Sequence, residues 1–161
     1  MNTAQAKEKA LATLDNMELM VTRDVVKNVG YVSATVMRPD LQEEGAICGG
    51  HQACAVGSLY IAYGIPIENN WGIADLAGVD VDERASFMRN RPGLRFAYDA
   101  LNQVADEYVA AHNIHADFLN EDFIQYSTLE ALFEAPVRRY RPKKSQLLDF
   151  IDEARKKVRA L

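Results

Sequence analysis

Apolar residues recur at helical spacing in three long stretches of the chain, and a fourth, shorter stretch is an apolar run rich in small residues. In the first, Ala6, Ala10, Leu11 and Leu14 share one side and Lys7, Glu8 and Lys9 the other, which predicts a surface helix capped by Thr3 and running to about Asn16. After Met20 the pattern changes. Residues 29–37, VGYVSATVM, are rich in β-branched and aromatic types and predict a strand ended by Arg38-Pro39-Asp40. Residues 21–26 fit a partner strand or a short helical turn equally well. Residues 47–64, ICGGHQACAVGSLYIAYG, predict a Gly-Gly turn into a buried helix, with Ala53, Val56, Gly57, Tyr60 and Ile61 at helical spacing. An ordered loop around Trp71 and Ile73 follows, where Pro66, Asn69, Asn70 and Gly72 interrupt any period.

In the second half, Asp80 with Glu83 predicts a short helix through Met88, broken by Asn90-Arg91-Pro92-Gly93. The clearest period runs from about Leu94 to His112, with Leu94, Tyr98, Leu101, Val104, Ala105, Tyr108 and His112 on one face. Phe123 to Tyr126 reads as a brief strand. Ser127 with Glu130 starts a short helix through Glu134, and VRRYRPKK, residues 137–144, is a basic turn. Ser145 caps a last helix that turns Leu147, Leu148, Ile151, Ala154 and Val158 inward and sets Arg155, Lys156, Lys157 and Arg159 at its C-terminal end. The expected architecture is a single compact α+β domain over residues 1–161, mostly helical, with about five helices and a small sheet of two or three short strands.

Composition narrows the classes of function. With 161 residues, 48% of them hydrophobic, the chain can bury one core. The net charge of -5 gives no overall pull toward nucleic acid or anionic lipid. It is unevenly spread: residues 137–161 hold nine Lys or Arg against three Asp or Glu, so this end carries +6 and the remainder -11. No apolar run is long enough for a membrane span and the N-terminal segment is polar, so a cytoplasmic protein without membrane contact is expected. The two cysteines, six positions apart, are expected as free thiols.

The helix signature Cys54 to Leu59, Cys-Ala-Val-Gly-Ser-Leu, resembles that of a family of small uncharacterised domains from actinobacteria and their phages. Before the final helix, where that family carries a Trp-Asn-Asp-like sequence, this chain has Leu132-Phe133-Glu134. The resemblance implies a phage or mobile-element accessory protein and brings no established activity.

Candidate chemistry concentrates around the two cysteines. Cys54 at the first turn of a helix sits near the positive end of the helix dipole, which favours thiolate, and His51 or His112 would serve as base in nucleophilic catalysis. The same segment read as a metal site offers Cys48, His51 and Cys54, with His112 as fourth ligand; zinc fits that donor set, but no cofactor is required by the sequence. Against both stands the ordinary role of such residues, a core cysteine beside a Gly-Gly loop and a histidine closing a helix. Gly49-Gly50 lacks the Lys-Ser/Thr that a nucleotide loop would need. Adjacent carboxylates such as Asp106-Glu107 and Glu121-Asp122 point apart and form no acid/base pair.

Trp71 and the basic turn, with Arg138, Arg139, Tyr140 and Arg141, are the residue types that carry interface energy best. The expectation is therefore a small accessory protein that binds a protein partner, either another protein or its own second copy. The alternatives are a cysteine- or zinc-dependent enzyme centred on Cys48, His51 and Cys54, and a nucleic-acid binder through residues 138–144, which the acidic body disfavours.

Overall fold

The structure, a computed structural model, describes residues 2–23, 55–65 and 81–161. Seven α-helices and two 3-10 turns occupy these segments: α1 (Thr3–Thr22), α2 (Ala55–Tyr63), α3 (Val81–Arg89), α4 (Pro92–Ala111), α5 (Glu121–Ile124), α6 (Thr128–Phe133) and α7 (Lys144–Arg159), with the 3-10 turns at Ala116–Phe118 and Arg138–Tyr140. There is no strand among the described residues, so the expected α+β class is corrected to a helical fold. The brief strand expected at Phe123 to Tyr126 falls instead on α5 and the turn after it. There the Asn120 side chain accepts a hydrogen bond from Asp122 N at 3.0 Å and caps a helical turn. The strand expected over residues 29–37 lies outside the described residues.

The core is built on the pairing of the two twenty-residue helices, α1 and α4, which share the most extensive contact in the fold. The short α2 lies against α1 and α7 packs across both α1 and α4. Ala10, Leu14 and Met17 of α1, Leu94, Leu101 and Ala105 of α4, and Ile151, Ala154 and Val158 of α7 are all essentially inaccessible to solvent. These positions repeat at three- and four-residue intervals, which is the spacing that lines one side of a helix.

Local sequence explains the element ends. Asn2, not Thr3, caps α1: its Oδ1 accepts from Gln5 N at 2.9 Å, and Gln5 Oε1 accepts from Asn2 N at 3.0 Å. The helix then continues past Asn16 because Met17, Met20 and Val21 extend the buried stripe begun by Leu14. Every residue from Ala55 to Ala62 is buried, as a helix apolar all round requires. Its C-terminus turns at Gly64, where φ is 111° and glycine is the residue that adopts this conformation without strain. Asn16 of α1 donates to Ala62 O at 3.1 Å and satisfies a carbonyl at that end. Lys7 does the same for α7, donating to Leu161 O at 2.7 Å.

Arg155 departs most from its expected place. It lies on the buried side of α7, not on the solvated side, and is only 9% exposed. Its guanidinium bridges Asp15 and Glu18 of α1 and Asp152 of its own helix. No helix of the described residues is long and apolar enough to cross a membrane.

Candidate functional site

The basic turn folds against the segment that precedes α5, and together they make one face. The turn Arg138–Tyr140 is closed by Tyr140 N donating to Val137 O at 3.1 Å and Arg141 N donating to Arg138 O at 3.0 Å. Arg141 Nε donates to Ala135 O at 2.6 Å and ties the turn to the end of α6. On the other side Asn120 acts as the anchor. Its backbone N donates to Ala131 O and its Nδ2 to Glu134 O, both at 3.0 Å. With both segments pinned, Phe118 and Tyr140 stack at 4.5 Å between ring centroids and 23° between planes.

This face carries both apolar and charged side chains. Phe118, Ile124 and Val137 are 38%, 47% and 44% exposed, three of the five large hydrophobic side chains left at the surface of the described residues. Arg139 leans on Tyr140, its Nη2 donating to the hydroxyl at 3.1 Å. Arg138 makes no ion pair among the described residues. A groove of about 560 Å³ on this face is lined by Asp117, Glu121 and Asp122 together with Leu119, Ile124 and Pro136.

Behind the face lies a buried carboxylate that the sequence reading missed. Glu130 is 2% exposed; its Oε2 accepts from Tyr98 OH at 2.9 Å and from Ser127 Oγ at 3.0 Å, while Ser127 Oγ accepts from Glu130 N at 3.1 Å. The cap expected at Ser127 is therefore present. Its partner Glu130 has turned inward to join α4 to α6.

Four positions on, burial pushes the Glu134 carboxyl above its ordinary value, Arg141 pulls it part of the way back, and Glu130 adds to the rise. The folded state thus favours the neutral acid, and ionisation lowers stability above the raised pKa but not below the ordinary value of 4.5. Glu134→Gln is expected to raise the thermal midpoint at neutral pH, with the gain shrinking toward zero as the pH falls to that value. A gain of constant size across this range, measured by thermal melts, would assign it to packing instead of charge.

A second concavity, about 430 Å³, opens between α3 and α4 and is lined by Met88, Arg89, Arg95, Tyr98, Asp99 and Tyr126, with Ala85 beside them. Partial burial raises the Asp99 carboxyl, and Arg95, 3.5 Å away, opposes that rise.

Of the residues expected to carry catalysis or metal, Cys48, His51 and Cys54 lie outside the described residues, as does Trp71. His112 is exposed at the C-terminus of α4, where its ring stacks on Tyr108 at 4.0 Å and its Nδ1 lies 2.9 Å from Tyr108 O. A carbonyl only accepts, so Nδ1 carries the proton and the histidine serves the helix end. His115 accepts from Asp117 N at 3.1 Å within its own turn. Among the described residues no group of three His, Cys, Asp or Glu side chains is arranged to hold a metal ion.

No protein-family model, no curated protein and no solved structure matches the chain.

Proposed function

We propose that the chain is a non-enzymatic accessory protein that binds another protein through the face formed by residues 116–124 and 136–141. The observation that carries this reading is the stacked, part-exposed pair of Phe118 and Tyr140, with Tyr140 in the same turn as Arg138, which makes no ion pair among the described residues. Aromatic and arginine side chains give the most binding energy per contact when a partner excludes water around them. The carboxylates Asp117, Glu121 and Asp122 that line the groove of this face favour a protein over nucleic acid here, because they repel phosphates.

The experiment is a comparison of the wild type with Arg138→Glu/Arg139→Glu, using a partner captured from cells, identified and purified. Arg141 is left unchanged because it is tied to Ala135 O and its loss would disturb the turn itself. The double variant is expected to keep its thermal midpoint and bind at least roughly tenfold more weakly, about 1.4 kcal/mol. Equal affinity for the purified partner would remove this face from the interaction.

A further inference from the structure

The geometry points to a binding site for a small aromatic carboxylate in the cavity between α3 and α4. Two kinds of side chain line this cavity of about 430 Å³: Met88, Tyr98 and Tyr126 supply apolar and aromatic surface, and Arg89, Arg95 and Asp99 supply charge. The volume lies within the roughly 300–1,000 Å³ of small-molecule sites, which are mostly apolar with a few polar groups that orient the ligand. The cavity shares no lining residue with the face formed by residues 116–124 and 136–141, so its test and the test of the interaction reading fail separately.

The aromatic part of the lining is fixed within the chain itself. The Tyr98 hydroxyl donates to Glu130 Oε2 at 2.9 Å, and that carboxylate, 2% exposed, also accepts from Ser127 Oγ at 3.0 Å, the cap of α6. Tyr126 immediately precedes the cap, and its backbone N donates to Phe123 O at 2.9 Å. Rings held in this way lose little further freedom when a flat apolar body lies against them.

Charge selects the rest of the ligand. Arg89, in the last turn of α3, makes no ion pair among the described residues. Arg95 lies 3.5 Å from Asp99, one turn further along α4. Two guanidinium groups against one carboxylate leave these three residues with a single positive charge, which suits a monoanion. A carboxylate also matches the planar fork of an arginine. A phosphate monoester suits the lining less well: Asp99 repels its second charge, and Met88 and the two rings gain nothing from a ligand without an apolar body. Burial outweighs Arg95 at Asp99, whose carboxyl is raised. Charges on this lining are thus partly withdrawn from water, and a guanidinium here acts on an anion more strongly than at an open surface.

The probe is naphthoate, with the uncharged naphthamide of the same shape as its control, each titrated into the isotope-labelled full chain and followed by backbone amide chemical shifts. Naphthoate is expected to bind saturably with a Kd of about 1 mM or tighter, shifting amides of α3, α4 and Tyr126, and naphthamide at least roughly tenfold more weakly. Arg89 and Asp99 are exposed, so neither substitution threatens the core. Arg89→Gln is expected to weaken naphthoate roughly fivefold, and Asp99→Asn, which removes the carboxylate competing for Arg95, to strengthen it roughly threefold. Neither variant is expected to change naphthamide binding. Opposite signs from two neighbouring changes are not produced by a loss of folding. Ala85, also exposed and on the lining, provides a block: Ala85→Trp is expected to abolish binding of both compounds while the spectrum stays that of a folded chain. Naphthoate that fails to saturate, naphthamide bound equally well, shifts confined to other elements, or effects of the same sign in Arg89→Gln and Asp99→Asn would each overturn the site.

Discussion

Arg155→Ala is expected to destabilise the fold by roughly 3 kcal/mol, read as a lower urea midpoint with an unchanged slope. The loss has two parts of unequal size. The long apolar stem of Arg155 is packed where α1 meets α7, and truncation leaves a void there. The three carboxylates it bridges, Asp15, Glu18 and Asp152, are 66%, 43% and 60% exposed and become hydrated when the guanidinium is gone. They are not stranded in the core, and ion pairs with one partner in water contribute modestly. Arg155→Met separates the parts: it restores the stem without the charge and is expected to fall within about 1 kcal/mol of the wild type. A methionine variant as unstable as the alanine variant would place the stabilisation in the ion pairs.

The same residue shows where sequence patterning stops being informative. Basic residues near a helix C-terminus complement its dipole, and Lys156 fits that reading, two-thirds exposed and paired with Glu153 of its own helix. Arg155 obeys the same local rule and yet faces inward, because the two acidic residues that receive it sit on α1, 140 and 137 positions away. Nothing local to α7 encodes that. Glu130 is a similar case: its role as the third residue after a serine cap was legible, but its burial depends on Tyr98 of α4 supplying a donor.

Where apolar spacing was long and regular the reading held. The helix expected from about Leu94 to His112 is α4, shifted by two residues at its start because Pro92 serves as its first residue instead of ending what precedes it. The extension of α1 was also written in the sequence, since Met17, Met20 and Val21 follow Leu14 at helical spacing and methionine is a good helix former. The error at Phe123 to Tyr126 came from two aromatics and an isoleucine read as β-formers while Asn120 offered a helix cap three positions earlier. The face formed by residues 116–124 and 136–141 was half legible. Arg138, Arg139 and Tyr140 stood out by composition, whereas Phe118 joins them only through the anchoring of Asn120 to Ala131 and Glu134.

Gly93 is a position where α1 and α4 leave no room for a side chain, and substitution there is expected to cost more with each added atom. A Cβ at this position would lie 2.7 Å from Lys9 Cγ, 2.8 Å from Lys9 Cβ and 3.3 Å from Ala6 O. The Cγ could rotate away. The Cβ and the carbonyl belong to the backbone frame of α1, so the helices themselves must separate. Gly93→Ala is therefore expected to lose roughly 1–3 kcal/mol despite the better helix propensity of alanine, and Gly93→Leu roughly 3 kcal/mol or more. The diagnostic is a double-mutant cycle with Lys9→Gly, which removes the obstructing Cβ. If the close approach is the cause, Lys9→Gly/Gly93→Ala loses clearly less than the sum of the two single changes, because the second Cβ enters space the first has vacated. Additive losses would mean that Gly93 is required for the backbone at the start of α4 and not for the spacing of the two helices. A coupled result would also explain why the sequence around Asn90-Arg91-Pro92-Gly93, which reads as a helix breaker, opens the longest amphipathic helix of the second half: the proline fits its first turn, and the glycine is there for the neighbour.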